Sequence, residues 1–311
     1  SPGSSAGHLL FVREGNLVAQ SFDAGSLQLA GQPFMLAEQV DFTSTPGQIA
    51  ASASAVGTVA LLVNGYPERE LRWYDRSGKD GGRVAATGSS GTGVSLAPNG
   101  RSVGFLRSAS TGSRLLDLER SQESRLLADG FPVVWSPDSR RIAFRGGNDG
   151  TAGLYIRDTG GGLPELLVRG GDNPLNPSGW SSDGRYITYT EVDPETFGNV
   201  WLVPLSTPRA PVPLLQTAAN ESQASISPDG GWLAYFSTES SPAGVFVRRL
   251  SKDLQLSNAV LTVSDTGAMQ PRWRADGKEL FYLERVPGSR RFMLLGVAFN
   301  ETSLNPLGPS H

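Results

Sequence analysis

The stretch Trp135-Ser-Pro-Asp-Ser-Arg-Arg-Ile-Ala-Phe144 decides the fold, because the chain writes it again and again. It returns as Trp180-Ser-Ser-Asp-Gly-Arg-Tyr-Ile-Thr-Tyr189, as Ile226-Ser-Pro-Asp-Gly-Gly-Trp-Leu-Ala-Tyr235 and as Trp273-Arg-Ala-Asp-Gly-Lys-Glu-Leu-Phe-Tyr282. Leu96-Ala-Pro-Asn-Gly-Arg-Ser-Val-Gly-Phe105 is a weaker copy, with Asn99 at the Asp position. Ser54-Ala-Val-Gly-Thr-Val-Ala-Leu61 is degenerate, with Gly57 in place of the acid, and Ala6-Gly-His-Leu-Leu-Phe11 is worn further. The anchors Asn99, Asp138, Asp183, Asp229 and Asp276 are spaced by 39, 45, 46 and 47 residues. Each is read as a structural turn: the carboxylate or amide oxygen accepts from backbone N–H groups ahead of it, and Gly takes a positive φ. Recurrence once per unit favours scaffolding over catalysis.

A period near ~40–45 residues suits four short strands per unit, the length of a propeller blade. Around the central copy the strands read as a, ending Val133–Trp135; b, Arg141–Arg145; c, Leu154–Arg157; and d, Glu165–Val168. Strand b recurs near residues 9–13, 58–63, 102–106, 141–145, 186–190, 232–236 and 279–284. These predict an all-β propeller of four-stranded antiparallel blades, a single domain over 1–311 with seven units. The approximate units are 1–45, 46–90, 91–130, 131–170, 171–218, 219–264 and 265–311. Phe22-Asp-Ala-Gly-Ser-Leu-Gln matches Phe299-Asn-Glu-Thr-Ser-Leu-Asn, so the first unit is itself a blade lacking strand a, and the last is expected to lack strand d. Six blades, with the terminal units merged, is the alternative. A lone sheet cannot bury both faces, whereas radial stacking covers each face with the next blade. Trp135, Trp180 and Trp273 are expected as wedges between blades.

Composition narrows the chemistry. The 311 residues include 38 Gly and 21 Pro, only 18% are charged, and the net charge is −3, which suits turns and strands and disfavours a polyanion binder. There is no Cys, and the two His, His8 and His311, sit at the ends, so thiolate chemistry is excluded and a Ser–His–Asp triad is disfavoured. The longest purely apolar run, Val59–Val63, is far short of the ~20 residues that span a bilayer. Gly88-Ser-Ser-Gly-Thr-Gly93 is followed by no Lys and reads as a d-to-a loop; Gly146-Gly-Asn-Asp-Gly150 reads as a b–c turn more readily than as a calcium loop. No catalytic residue, metal ligand or cofactor is expected.

Binding groups on a propeller collect at the mouth of the central channel, on the d-to-a loops and the start of strand a. The candidates are Gln48, Asp172, Asn173, Asn176, Asn220, Glu221, Gln223, Asp265 and Gln270, densest in Asn220-Glu-Ser-Gln223.

The run Leu214-Leu-Gln-Thr-Ala-Ala-Asn-Glu-Ser-Gln-Ala-Ser-Ile-Ser-Pro-Asp-Gly-Gly-Trp-Leu-Ala-Tyr235 resembles the TolB-like, WD-repeat-like propeller units of bacteria. With Gly7–Asp23 and Arg72-Trp-Tyr-Asp-Arg-Ser-Gly78 it is similar, more narrowly, to the C-terminal propellers of acidobacterial serine/threonine protein kinases. That resemblance implies a non-catalytic sensor module on the extracytoplasmic (periplasmic) side of a membrane-anchored kinase whose catalytic domain lies outside this segment. Its expected partner is a protein, a peptide or a small envelope ligand at the channel mouth, with no nucleic acid and no membrane contact by the segment itself. A propeller hydrolase of lactonase or sialidase type and a TolB-like envelope assembly subunit are the alternatives.

Overall fold

The computed structural model describes residues 6–13, 16–23, 26, 28–37, 51–53, 59–61, 69–74, 79–89, 94–108, 112–127, 132–147, 152–264, 266–286, 292–300 and 303–306. The chain divides into two compact units, Ser1–Arg69 and Glu70–His311. The first holds a three-stranded sheet, β1 (Ala6–Arg13), β2 (Asn16–Asp23) and β3 (Gln28–Ala37), and a two-stranded sheet, β4 (Ala51–Ala53) with β5 (Val59–Leu61). A further pair, β6 (Arg69–Tyr74) and β7 (Asp80–Ser89), opens the second.

Five four-stranded antiparallel blades follow. They are β8 (Val94–Leu96), β9 (Ser102–Ser108), β10 (Gly112–Asp117) and β11 (Gln122–Leu127); then β12 (Val133–Trp135), β13 (Arg141–Gly146), β14 (Gly153–Asp158) and β15 (Glu165–Arg169). The third blade is β16 (Leu175–Trp180), β17 (Tyr186–Asp193), β18 (Phe197–Pro204) and β19 (Val212–Leu215). The fourth is β20 (Glu221–Ile226), β21 (Trp232–Ser237), β22 (Gly244–Leu250) and β23 (Leu256–Ser264). The fifth is β24 (Ala268–Trp273), β25 (Glu279–Arg285), β26 (Phe292–Asn300) and β27 (Ser303–Pro306).

Five complete blades stand where seven, or six, were expected. The shortfall falls where the turn motif is worn: without the Ser-x-Asp-Gly stop, β4 and β5 pair over only three residues each, and no strand precedes β1 among the described residues. The last blade, expected to lack its fourth strand, has it in β27, paired through Phe299↔Leu304.

One register serves all five blades. Leu96 faces Val103, Trp135 faces Ile142, Trp180 faces Ile187, Ile226 faces Leu233 and Trp273 faces Leu280. The turn between strands a and b enforces it. In the fourth blade Asp229 Oδ1 accepts from the Gly231 amide at 3.0 Å, and Ser227 Oγ accepts from the Trp232 amide at 2.9 Å. The same bonds occur at Ser136/Asp138 and Ser181/Asp183. Asn99 and Asp276 make the first of them, to Arg101 and Lys278.

The second strand of the fourth blade is apolar on both faces because both are covered. Trp232, Leu233, Ala234 and Tyr235 are all buried, and they alternate: Leu233 and Tyr235 join Val200 and Leu215 of the third blade, while Trp232 and Ala234 join Ala268, Leu280 and Val297 of the fifth. Likewise Ile142 and Phe144 pack with Ala97 and Leu126 of the first blade, and Ala143 packs with Ile187 and Tyr189 of the third.

The tryptophan wedges sit in these seams. The Trp135 indole donates to the Ser95 carbonyl of the preceding blade at 3.0 Å, and Trp273 does the same to Ser225 at 3.0 Å. Trp180 packs in the seam but donates to its own turn, to the Gly184 carbonyl at 3.3 Å, with the Arg141 guanidinium 5.4 Å above its ring.

Candidate functional site: the loop face

Strand alternation sends the b–c turns and the d-to-a loops to one end of each blade and the Asp turns to the other. Backbone bonds tie the two loop sets together: Gly170 N to Ala152 O at 2.8 Å, Val192 N to Pro174 O at 3.0 Å, Thr238 N to Asn220 O at 3.2 Å and Gly267 N to Ala243 O at 2.9 Å. This end, the loop face, carries the described binding candidates. Gln48 and Asp265 lie outside the described residues.

Asp172, Asn173 and Asn176 come together with groups from neighbouring b–c turns. The Asn173 amide donates to Glu191 Oε1 at 3.2 Å and to Asp193 Oδ2 at 3.3 Å, and Arg145 Nη1 donates to Asn176 Oδ1 at 3.2 Å, across a blade boundary. The Thr196 and Glu195 amides, bonded to Asp193, hold its carboxyl below the usual carboxylate range. A cavity of about 320 Å³ opens here, lined in part by Arg145, Gly147, Gly171, Asp172, Asn173 and Leu175.

Asn220 and Glu221 serve the scaffold instead. Asn220 Oδ1 accepts from the Gly198 amide at 3.2 Å; a Cβ at Gly198 would lie 2.4 Å from that oxygen, so only glycine permits the approach. Glu221, expected at an open mouth, is 1% exposed. Burial pushes its carboxyl up, partly offset by bonds from the Thr217 hydroxyl and amide; Glu239 adds to the rise, and Arg248 opposes it.

Gln223 and Gln270 occupy matching places in bulges of β20 and β24, at φ of +58° and +56°. The Gln270 amide donates to Gln223 Oε1 at 2.6 Å, linking the first strands of successive blades. Those first strands pack beside one another from the first blade to the fifth, which makes them innermost. Non-glycine residues at positive φ are uncommon and cluster at functional sites. Arg272, exposed on the same strand, donates to the Pro271 carbonyl at 2.8 Å.

Sequence reasoning missed Arg145, Glu191 and Asp193. They sit at the ends of second strands rather than on d-to-a loops. The signal for them was present, since antiparallel alternation returns the end of strand b to the level where strand a begins.

Comparison with solved structures agrees with this architecture. A TolB of Agrobacterium tumefaciens superposes with a TM-score of 0.59 at 17% identity, over 72% of this chain and 83% of that one. The fold is that of a β-propeller. TolB from Acinetobacter baumannii gives 0.53 at 15% identity, over 98% of this chain and 68% of that one. Kuenenia stuttgartiensis hydrazine synthase also gives 0.53, at 13% identity over 92% of each chain. No family model matches the chain, and no curated protein matches it. At such identities the likeness extends to the fold and no further.

Proposed function

We propose that this chain is a non-catalytic recognition module that binds a protein, peptide or small envelope ligand on its loop face. The observation that carries the reading is the convergence of Arg145, Asp172 and Asn173 from two successive blades around one cavity, with Asn173 bonded to Glu191 and Asp193 and Arg145 bonded to Asn176. Amides and carboxylates held in this way recognise polar ligands. Activating a nucleophile needs a base beside it, and the chain's two histidines lie at its ends. The TolB-like fold and the sequence resemblance support a place in the bacterial envelope, on the extracytoplasmic side, as the C-terminal part of a membrane-anchored serine/threonine kinase. Docking to envelope proteins as an assembly subunit is the second reading, favoured by the TolB-like fold.

Native mass spectrometry of the chain with peptides and glycans released from bacterial envelopes tests this directly. The expected result is a saturable complex weakened by Asn173→Ala and Arg145→Ala, without consumption of the ligand. Steady turnover of lactone, sialoside or peptide substrates by the purified chain would overturn it. A reading frame with no kinase domain upstream of Ser1 would remove the kinase assignment alone.

A further inference from the structure

We infer that the β17–β18 hairpin is a docking finger, which seats the Phe197 ring against an apolar patch bordered by Lys or Arg on a partner protein. The inference deepens the recognition reading above and rests on it, since the hairpin rises from the same loop face.

Reach comes first. The aromatic residue that closes each repeat motif is Phe105, Phe144, Tyr189, Tyr235 or Tyr282. Beyond it, pairing with the third strand of the blade continues to Ser108, Gly146, Asp193, Ser237 and Arg285 respectively. Among the described residues the third blade's hairpin therefore extends farthest, by one or two residues, roughly 3–7 Å. Its tip, Pro194–Phe197, is exposed at every position, and Phe197 itself is 57% exposed. Val192, on β17, is a second exposed apolar side chain.

Rigidity comes next. Phe197 stands at φ +64°, a backbone region that a bulky residue seldom enters and that glycine fills without strain. The turn around it is fixed. Asp193 Oδ1 accepts from the Glu195 and Thr196 amides at 2.8 and 2.9 Å, the Asn199 side-chain amide donates to Thr196 Oγ1 at 2.9 Å, and the Gly198 amide donates to Asn220 Oδ1 at 3.2 Å. A strained aromatic turned to solvent adds nothing to the fold that glycine would not supply, and such residues gather at functional sites. A ring already positioned by its turn loses little entropy on binding, and aromatic side chains are enriched at interfaces.

Charge names the partner. The loop-face segments of the third blade, 170–176, 190–199 and 216–220, carry Asp172, Glu191, Asp193 and Glu195 and no Lys or Arg. Asn173 donates to Glu191 Oε1 and Asp193 Oδ2 at 3.2 and 3.3 Å, which fixes two of these carboxylates at the root of the finger. Arg145 of the second blade bonds Asn176 at that boundary. An apolar knob among fixed carboxylates complements an apolar surface with a cationic border, and it repels nucleic acid and anionic lipid. A projecting turn is also the wrong shape for a small molecule, which binds in a concavity.

Isothermal titration of the 311-residue chain with three dodecapeptides, alternating Lys-Leu, Lys-Ser and Glu-Leu, tests the finger. The Lys-Leu peptide is expected to bind, the Lys-Ser peptide about tenfold more weakly, and the Glu-Leu peptide not at all. Phe197→Ala should weaken the Lys-Leu peptide about tenfold and leave the Lys-Ser peptide unchanged. Glu195→Lys, or raised salt, should weaken both cationic peptides. Phe197→Gly should lose the Lys-Leu peptide by the same factor with an equal or higher melting temperature, because it relieves the backbone. A lower melting temperature for Phe197→Gly would show that the ring holds the fold, and would overturn the inference. So would a Lys-Leu peptide that fails to bind, or that binds the Phe197→Ala chain as tightly. A dimer in sedimentation equilibrium that Phe197→Ala dissolves would give the finger to a second copy and overturn the partner assignment. Envelope ligands that bind the original and Phe197→Ala chains alike would sink this assignment alone; silence from those ligands and all three peptides would sink the recognition reading with it.

Discussion

Ser139 stands where four sister turns carry glycine. Its φ is +61°, beside +70° at Gly100, +75° at Gly184, +76° at Gly230 and +72° at Gly277. Its hydroxyl accepts from the Asn99 amide of the preceding blade at 3.0 Å, which offsets the cost of the left-handed backbone. Gly230→Ala, where a Cβ meets nothing within 4 Å, therefore isolates the conformational term and should destabilise by about 1–2 kcal/mol in urea unfolding. Ser139→Gly trades strain for the lost bond and should shift stability by less than about 1 kcal/mol. The carboxylates give opposite pH signatures. Bonds from the Ser136 hydroxyl and the Arg140 amide hold Asp138 below its ordinary 3.8; at Asp183 burial would raise the value, but bonds from Ser181 and Arg185 outweigh it. Both add stability that is complete above about pH 4 and is lost as pH falls through their lowered folded values. Glu221 is raised above 4.5, so the folded state takes up its proton first and stability grows as pH falls from neutral toward 4.5. Glu221→Gln should flatten that slope and leave the more acidic one intact, as read by thermal unfolding against pH.

Strand positions were legible wherever a turn motif preceded them. The expected strands at 133–135, 141–145, 154–157 and 165–168 are β12 to β15 to within one residue at either end. Turn chemistry sets the hairpin locally, and a short apolar run then has no option but a strand buried on both faces. The bulges in β20 and β24 were not legible, because nothing in Ser-Gln-Ala or Met-Gln-Pro announces a positive φ at glutamine. Nor was the division of labour among the tryptophans, which depends on whether a neighbouring carbonyl lies within reach. Trp135→Phe and Trp273→Phe each remove an indole hydrogen bond across a seam and should cost about 0.5–1.5 kcal/mol, measured by chemical denaturation. Trp180→Phe loses only a longer bond within its own turn and should cost less.

In the five-blade body every core cluster between blades is shared by two consecutive ones, so stability is coupled between neighbours. Leu233, fully buried between the third and fourth blades, is the cleanest probe. Leu233→Ala should destabilise by about 2–5 kcal/mol. Hydrogen exchange should then quicken in β16–β23 before it does in β8–β11. The loop face follows from the same geometry, since the loops after β15, β19 and β23 are each bonded to a b–c turn that returns beside them.

The amino-acid sequence by itself determined the blade: its period, its Asp turn, its register and the apolar second strand. All of these are contacts between residues close along the chain. Only the tertiary structure decided how many blades are complete, that Glu221 is sealed inside, and that Arg145 shares a cavity with Asp172. Those depend on which surfaces meet across blade boundaries, where partners stand tens of residues apart and no local pattern records the pairing.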